Sequence, residues 1–576
     1  MTWPRALVLL LCSAATVGLL VSLPRFARPY TGPAAWDGAV QFSGERAWAD
    51  VVTLATRFPR RWSGGPDRPA AADWLADGLT TMGLEVHRET FAGWVGESHP
   101  VTLENVWAVS PGTDRRDEII VLAGNYDMVP TSVQAASDTA GHVGTILELA
   151  RLLSAAPHRR TFVVVFPDGE EWGMLGARRF VRTFAQRARI VAAISIEDLD
   201  AGVLAALGID GIGQFRGFAP MWLRALAADA AAREGYRTDE VSALFEWIQR
   251  SLLVSSTDQG PFLERGIPAI DLAGRADDAA LKARVYHLPD DTIEHMRPGS
   301  VLAYGRIQER IVRALDAMPA VPRESSVYLR LGPERVVPFG WLLVIQVLAF
   351  APLAAAVLFR VRQGALRGML VIRELVRVGT VLVVLLLWVD VVKLLPFLGL
   401  LPRYSLYAPP PRHPLLTTVA WPPVLVSAAV LVAAALLAGR FLRPLRDPAG
   451  VRTTPLVSAL LVCLAGIVVV ALAHNPFGAV TFLLLPALLW IWIRPRASLI
   501  GRIINAGLVG LAFIVVVLLF MQFAVSLRLG RHIVWYVFLT IAYAQFTLPQ
   551  IVLSFATLTV AIRLLAVSAL RGSSTP

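Results

Sequence analysis

The C-terminal part of the chain consists of long apolar segments, and this feature limits the fold more than any other. Seven of them lie at 338–359, 378–400, 417–438, 455–473, 477–493, 503–526 and 533–566. An α-helix needs about 20 apolar residues to cross a bilayer. The last segment is too long for one simple helix and contains Pro549. We therefore expect an all-α transmembrane domain over 338–568, with seven helices and an error of one.

The composition of the whole chain agrees with a membrane protein. Of the 576 residues, 55% are hydrophobic and 17% are charged, whereas soluble domains carry about 25% charged residues. The net charge of +11 is unevenly placed, because residues 338–576 sum to +16 and residues 1–337 to −5. The basic excess belongs to the apolar part, so nucleic acid is not the expected partner.

Arginines in the connecting loops predict the orientation of the membrane helices. Twelve arginines lie in or beside the first, third and fifth loops, against four in the second, fourth and sixth. The positive-inside rule places the odd loops in the cytoplasm. The region before the first of these helices is then extracytoplasmic, which means periplasmic, extracellular or lumenal.

A shorter apolar segment at the N-terminus agrees with this orientation. Residues 6–23 form an uncharged run of 18 behind Arg5, which is just long enough to span a bilayer. The following residues lack the small-x-small pattern of a signal-peptidase site. We therefore predict an uncleaved signal anchor over 1–30.

Residues 31–325 have the pattern of a separate extracytoplasmic domain. Short apolar runs that predict strands lie at 118–124, 161–167, 190–197 and 267–273. Amphipathic segments at 142–154 and 174–187 predict helices after the first two strands. Continuous apolar strands between helices are typical of an α/β fold, with a mostly parallel mixed sheet sandwiched by helices.

Polar side chains follow these strands at the points where the strands end. They are Asn125 and Asp127 after the first strand, Asp138 before the next helix, Glu170 and Glu171 after the second strand, Glu197 and Asp198 after the third, and Asp258 and His287 further on. Ligands of parallel sheets bind at this edge. Carboxylates and imidazoles are zinc ligands, and paired glutamates allow one to bind metal while the other acts as general base.

Other site chemistries lack support in the sequence. Cys12 and Cys463 lie inside apolar runs, so neither a disulfide framework nor a cysteine zinc site is expected. The chain contains no HExxH, GxSxG or phosphate-binding glycine loop, which are the patterns of other hydrolases and of nucleotide sites.

Five segments together resemble peptidase family M28, the co-catalytic zinc aminopeptidases that also include glutamate carboxypeptidases and glutaminyl cyclases. The most specific is DGEEWGMLGARRFV at 168–181, and the others are FPRRWSGGPD at 58–67, ASDTAG at 136–141, TDQGPFLERGIPAI at 257–270 and YHLPDDT at 286–292. They occur in the family's order over about residues 45–315. The resemblance implies a zinc-aminopeptidase-like fold and hydrolysis of peptides.

The resemblance also implies a set of metal ligands. Asp138 matches the aspartate that bridges two zinc ions, and Glu171 and His287 match ligands of the second zinc. Glu197 matches the fourth ligand or, with a one-residue slip, Asp198 does.

Three further positions match residues that act in catalysis. Glu170 corresponds to the general base, and Asp127 to the aspartate that orients the first histidine ligand. Asp258 corresponds to the aspartate that assists catalysis in the cyclase branch.

One position departs from the family pattern. The first histidine ligand is Asn125 here, and an amide oxygen is a poor zinc ligand. The second site remains complete, because three protein ligands and a water make a catalytic zinc site. We therefore expect one zinc ion, with two as the alternative. His142 lies four residues after Asp138 and is a candidate to replace the missing imidazole.

Each motif also has a purely structural interpretation. The two glutamates could be a solvated helix start, Asp138 a helix cap and His287 a loop residue. At the level of the chain, a membrane anchor, a peptidase-like domain and several C-terminal spans also resemble the attachment subunit of glycosylphosphatidylinositol transamidase. That resemblance implies an inactive scaffold or substrate-presenting subunit.

The sequence favours one function over these alternatives. The leading hypothesis is a membrane-embedded zinc exopeptidase, an aminopeptidase that hydrolyses peptide or protein substrates outside the cytoplasm. A glutaminyl cyclase-like acyltransferase shares the same site. The loss at Asn125 favours the scaffold, whereas retention of the complete second site opposes it.

Overall fold

The computed structural model describes residues 3–332, 334–407, 409–442, 453–494 and 498–569. The first part of the chain contains α1 (Trp3–Val21), β1 (Arg28–Pro29), α2 (Gly44–Arg57), α3 (Arg68–Thr81), β2 (Glu85–Gly93), β3 (Val101–Ser110), β4 (Arg115–Ala123), α4 (Gly141–Ala155), β5 (Arg160–Phe166), α5 (Leu175–Thr183), β6 (Ile190–Leu199), β7 (Leu204–Asp210), α6 (Met221–Arg233), β8 (Arg237–Asp239), α7 (Ala243–Leu252), α8 (Gln259–Glu264), β9 (Ala269–Ala276), α9 (Ala279–Val285), α10 (Pro298–Ala317), β10 (Tyr328–Arg330) and β11 (Arg335–Pro338).

The apolar C-terminal part follows. It contains α11 (Phe339–Leu348), α12 (Ala351–Arg362), α13 (Gly368–Leu394), α14 (Trp421–Phe441), α15 (Thr453–His474), α16 (Pro476–Leu489), α17 (Leu499–Leu511), α18 (Ile514–Ser526), α19 (Ile533–Ala542) and α20 (Leu548–Ala569).

Eight strands form one mixed sheet in the order β2-β3-β5-β4-β6-β9-β7-β8. The pairs β4–β5, β4–β6, β6–β9 and β7–β8 are parallel, and the other three pairs are antiparallel. Helices α2, α4 and α10 contribute to the core on one face, and α5 and α8 to the core on the other. The predicted α/β fold, a mostly parallel mixed sheet between helices, is confirmed.

The four predicted strands coincide with β4, β5, β6 and β9 to within two residues at the ends predicted beyond them, which are 124, 167 and 267. Strand β5 is buried over its whole length, which explains its unbroken apolar sequence. The other strands of this sheet, among them β2 and the three-residue β8, were not identified from the sequence. These strands lie toward the sheet edges. Side chains of β2 alternate between half-buried and exposed positions, so their apolar signal is weak.

The segment after residue 325 packs on the α/β domain. Strands β10 and β11 pair with each other, and β11 pairs with β1. The Tyr328 hydroxyl donates to the Ala219 carbonyl at 2.8 Å, and the Arg224 guanidinium donates to the same hydroxyl at 3.1 Å. The domain predicted over 31–325 therefore continues in space through residue 338.

Among the described residues, six helices are long and apolar enough to cross a membrane, if α11 and α12 count as one helix (Phe339–Arg362). The number is seven if the pair α17 and α18, bent by 49°, is one span. One of the six is α1, whose Leu9 is buried in a cluster with side chains of α12 and α15. The apolar helix over 476–492 is shorter. Each of the seven predicted C-terminal segments coincides with a helix or a pair of helices.

Helix α13 begins ten residues before the predicted segment at 378–400. The carboxylate of Glu374 is fully buried there and accepts hydrogen bonds from Arg377 on the same helix and from Arg563 on α20. Because buried charges are tolerated when they are paired, the helix continues through these residues. The last predicted segment is divided into α19 and α20 near Pro549.

Two segments beside the apolar helices contact the α/β domain. One is the fourth predicted loop, on the side predicted to be extracytoplasmic, and the other is the start of α20, inside the last predicted segment. The Asn475 amide donates to the Arg250 carbonyl at 2.8 Å, and the Gln550 amide donates to the Leu252 carbonyl at 2.8 Å. Of the arginines that predict the opposite side, four lie outside the described residues: Arg443, Arg446, Arg452 and Arg496. Which side is cytoplasmic stays a prediction.

Candidate metal centre and active site

Three side chains of the α/β domain converge beyond the ends of its central strands. The donor atoms of Asp138, Glu171 and His287 all lie within 4.8 Å of one another. The His287 Nε2 is 3.3 Å from an oxygen of each carboxylate. Within the described parts of the chain, this is the only group of three or more such side chains that could hold a metal ion.

Asp138 lies in a kink before α4. Its backbone is non-helical (φ −133°, ψ 83°), and Ala135 before it is left-handed. The Asp291 carboxylate accepts from the amides of Ser137 and Asp138 at 2.8 Å and 3.4 Å. Helix α4 has no side-chain cap, so the interpretation of Asp138 as a helix cap is wrong.

Glu170 and Glu171 lie in a turn between β5 and α5. Gly169 and Gly173 have φ values of 82° and 103°, which glycine adopts at little cost. Helix α5 begins only at Leu175, and Glu171 is 8% exposed. The interpretation of the pair as a solvated helix start is therefore wrong. The Oε1 atom of Glu171 is buried and has no hydrogen-bond partner, which suits a metal ligand.

His287 is held from both sides of its ring. It is 3% exposed, so it is not a solvated loop residue, and its φ of 57° is in the left-handed region. Its Nδ1 lies 3.3 Å from the Pro411 carbonyl. A carbonyl only accepts, so Nδ1 carries the hydrogen in this contact and Nε2 faces the carboxylates.

The electrostatics of the three side chains favour a bound cation. Burial raises the pKa values of Asp138 and Glu171 to about 7, and the charge of Asp198 contributes to the shift at Asp138. Burial alone would lower the pKa of His287, but the two carboxylates outweigh it and raise this pKa. Two carboxylates and an imidazole form a donor set that zinc prefers. The three residues therefore fit a zinc ion.

Glu170 lies beside this group, where Asp127 holds its backbone. The Asp127 Oδ1 accepts from the Glu170 amide at 3.2 Å, and its Oδ2 accepts from the Ser63 hydroxyl at 3.1 Å. Burial raises the pKa of Glu170 well above its usual range, and the charges of Glu197 and Glu171 add to the effect. A carboxyl group with a raised pKa beside a candidate metal site is a candidate for proton transfer.

Asn125, which lies where the family resemblance implies a histidine, is hydrogen-bonded in the structure. The Asn125 side-chain amide donates to Asp127 at 3.3 Å, so Asp127 still contacts the residue that it is expected to orient. His142 Nε2 lies 2.8 Å from the Asn125 carbonyl, and its Nδ1 is buried without a partner. Burial lowers the pKa of His142 to about 4. Its ring is neutral and lies outside the three-residue group.

Glu197 also lies outside this group. Its Oε1 accepts from the Ser195 hydroxyl at 2.6 Å and from the Asp258 amide at 2.7 Å. Both carboxylate oxygens of Asp258 are buried without a partner. The alternative ligand Asp198 is close enough to contribute to the raised pKa of Asp138, so the fourth ligand stays a prediction.

Two supporting residues were not singled out from the sequence. The fully buried Arg61 donates to the carbonyls of Tyr126, Gln134 and Ala135 at 2.8–3.0 Å and so holds the loop that carries Asp138. Asp291 binds the backbone of the same loop. Both lie inside motifs that carried the family resemblance, but their spacing gave no sign of what they contact.

Comparisons with known proteins agree with the geometry. Residues 105–312 match the family model of Peptidase family M28, so the resemblance found in the motifs is confirmed for this part of the chain. A vacuolar membrane protease of Candida albicans (strain WO-1) is 26% identical over 265 residues, which is 45% of this chain and 28% of the relative. An aminopeptidase of Bacillus subtilis (strain 168) is 23% identical over 233 residues, which is 39% of this chain and 45% of the relative.

The chain thus spans less than half of the length of either relative. Among solved structures, a glutaminyl cyclase of Porphyromonas gingivalis is similar over 48% of this chain and 99% of its own, with 20% identity and a TM-score of 0.40.

Proposed function

We propose that this membrane protein, through its M28 domain, is a zinc-dependent exopeptidase of the aminopeptidase type that acts on peptides or proteins. The convergence of Asp138, Glu171 and His287 beside the half-buried Glu170 carries the proposal. The family match over residues 105–312 supports the reaction class. The scaffold alternative is not favoured, since it does not need two carboxylates and an imidazole that converge within 4.8 Å.

Asp138, Glu171 and His287 would hold the metal. When bound, zinc polarises a carbonyl and makes water more acidic. Three protein ligands leave a coordination position open, as in catalytic zinc sites. Since Asn125 replaces an imidazole, we expect one zinc ion per chain, and two only if His142 or an acid at 197–198 completes another site.

Glu170 would move the proton of the reaction. Its carboxylate takes a proton from the attacking water and delivers it to the leaving amine. Asp127 positions Glu170 through its backbone amide. The unpartnered oxygens of Asp258 offer acceptors for N–H groups of the substrate.

The test uses the full-length protein in detergent and compares Glu170→Gln with Glu45→Gln. Glu45 is exposed in the first turn of α2 and is the matched control. Glu170→Gln should keep its zinc while hydrolysis of aminoacyl substrates falls by about 10²–10⁴-fold, and Glu45→Gln should match the native protein. If native protein has no zinc and no more activity than Glu170→Gln, the chain is not a zinc peptidase.

A glutaminyl cyclase-like reaction is the second candidate, because Asp258 is available and one zinc is expected. Peptides with an N-terminal glutamine distinguish the two reactions. Cyclisation releases ammonia and keeps the peptide intact, whereas an aminopeptidase releases free glutamine.

We also propose that the M28 domain is extracytoplasmic, because it precedes the first C-terminal helix and twelve arginines lie in or beside the odd-numbered loops, against four in the even-numbered loops. A reporter enzyme that is active only outside the cytoplasm should be active when it is fused after Met318. A reporter that is active only in the cytoplasm should be active when it is fused after Arg446. A cytoplasmic signal after Met318 would overturn this orientation.

A further inference from the structure

One loop of the membrane part lies directly against the candidate site. We call residues 395–420, between α13 and α14, the membrane loop. The Gly96 amide donates to the Arg403 carbonyl at 2.7 Å, and the Ser405 amide donates to the Trp94 carbonyl at 2.8 Å. Val95 and Tyr404 form an antiparallel bridge. The membrane loop thus adds a short pairing just beyond β2.

The same loop packs on the turn that carries the two glutamates. The Tyr404 ring stacks on Trp172, the residue after Glu171, with 5.8 Å between centroids. A Cβ atom at Gly173 would be 2.9 Å from the Tyr407 ring, so only glycine fits beneath it. The Tyr407 hydroxyl accepts from Arg178 of α5 at 3.1 Å. These contacts hold the loop against the ligand-bearing turn.

A tight turn in the membrane loop reaches the third ligand. Residues 409–411 are all proline, and proline offers a carbonyl acceptor but no N–H donor. The His413 amide donates to the Pro410 carbonyl at 3.2 Å, and Arg412 has a φ of 72°. A proline followed by a residue with positive φ is typical of a type II turn. Arg412 also donates to the Ala283 carbonyl of α9 at 2.9 Å.

The positive φ of Arg412 decides where the Pro411 carbonyl points. Type I and type II turns differ by a rotation of their central peptide group, which here is the peptide between Pro411 and Arg412. In the observed turn, this carbonyl lies 3.3 Å from the Nδ1 of His287. A non-glycine residue in the left-handed region is strained, and such strain is often found at functional sites.

We propose that Pro411 is a positioning residue of the metal centre, and that the membrane part thereby completes the site of the M28 domain. Its carbonyl fixes the orientation and the tautomer of His287, leaving Nε2 to the metal. Ligating histidines usually donate their other N–H to such a partner, whose loss lowers metal affinity by about 10–100-fold. The inference rests on the zinc site of the proposed function.

The test exchanges Arg412 in the full-length protein for glycine and for proline. Both changes remove the guanidinium group and its bond to Ala283. Glycine accepts a positive φ, whereas proline holds φ near −65° and destroys the turn. We expect Arg412→Gly to bind zinc like the native protein. Arg412→Pro should bind it about 10–100-fold more weakly, in competition with a chelator.

A spectroscopic readout separates positioning from a general loss of structure. Cobalt(II) replaces zinc, and its visible absorption bands report the geometry of the ligands. The bands should be unchanged in Arg412→Gly and shifted in Arg412→Pro. If Arg412→Pro does not give a folded, monodisperse protein, Arg412→Val provides the comparison, because a β-branched residue disfavours positive φ but keeps its N–H. Val should then show the same changes to a smaller extent.

Two outcomes separate the positioning role from the enzymatic one. If all Arg412 variants match the native zinc affinity and cobalt bands, Pro411 does not position His287, whether or not the protein hydrolyses peptides. If the native protein binds zinc and the variants differ as expected but no peptide is hydrolysed, the positioning role stands and the exopeptidase function fails.

Discussion

The two sides of the candidate site match the family pattern to different extents, and this difference predicts which side binds a metal. On one side, Asp138, Glu171 and His287 converge within 4.8 Å and have support from Asp291 and Pro411. On the other side, which we call the altered side, Asn125 lies where the family resemblance implies a histidine, and its amide donates to Asp127.

Asp127 is therefore hydrogen-bonded to position 125 although that position carries an amide and not an imidazole. A single-metal site explains this pattern, because Asp127 also holds the backbone of Glu170. That role does not depend on the residue at position 125. The comparison predicts that changes on the complete side abolish metal binding, whereas changes on the altered side are tolerated or add a metal.

The largest effect is expected from a pair of histidine substitutions. His287→Ala should lose the zinc and reduce hydrolysis to background, because two remaining ligands bind weakly. His142→Ala, the matched control on the altered side, should keep about one zinc per chain. Elemental analysis beside an aminopeptidase assay measures both. Loss of zinc from His142→Ala would make His142 a ligand and contradict the single intact site.

A gain of metal is the second expected effect. Asn125→His restores an imidazole beside Asp127, which can accept its other N–H and orient the ring. The zinc content should rise from about one to about two per chain. Asn125→Gln keeps an amide at the position and should remain at about one. An unchanged zinc content in Asn125→His would mean that the altered side lacks other ligands as well.

The smallest effect concerns pH in the metal-free protein. Burial raises the pKa values of Asp138 and Glu171 to about 7, above the value of about 4 in unfolded chains. The folded chain therefore binds more protons than the unfolded chain between these values, so the free energy of unfolding falls as the pH rises through this interval.

We expect the chelated full-length protein to unfold at a higher temperature at pH 5 than at pH 7.5, by about 3 °C or more. Added zinc should reverse the order, because metal binding needs deprotonated ligands. Glu171→Gln, which removes one of the titrating groups, should show a smaller difference. A melting temperature that rises with pH without metal would contradict the raised pKa values.

The sequence predicted the fold and most of the site because both have local signals. Apolar runs predicted the membrane helices and the central strands β4, β5, β6 and β9, since a membrane span and a buried strand are both continuous apolar runs that differ in length. The residues at the strand ends were found for a similar reason. Asp138 and Glu171 follow neighbouring parallel strands, whose carboxyl ends meet at one edge.

The edge strands of the sheet and the supporting residues Arg61 and Asp291 have no such local signal in the sequence. The half-exposed β2 gives a weak apolar signal. The sequence indicated Arg61 only as one residue of a motif. In the structure, its contacts with residues 126–135 hold the loop before Asp138. Its role depends on a fold that brings together segments 65–74 residues apart.

By itself, the sequence determined that the chain has an α/β domain, several apolar helices and a set of carboxylates and one histidine suited to zinc. Only the tertiary structure decided that His287 meets Asp138 and Glu171, and that Glu197 lies outside their group. It also placed Pro411, 124 residues beyond His287, against the ring of that histidine. The physical reason is that hydrophobic periodicity and motif spacing are local properties, whereas such contacts arise only when distant segments pack together.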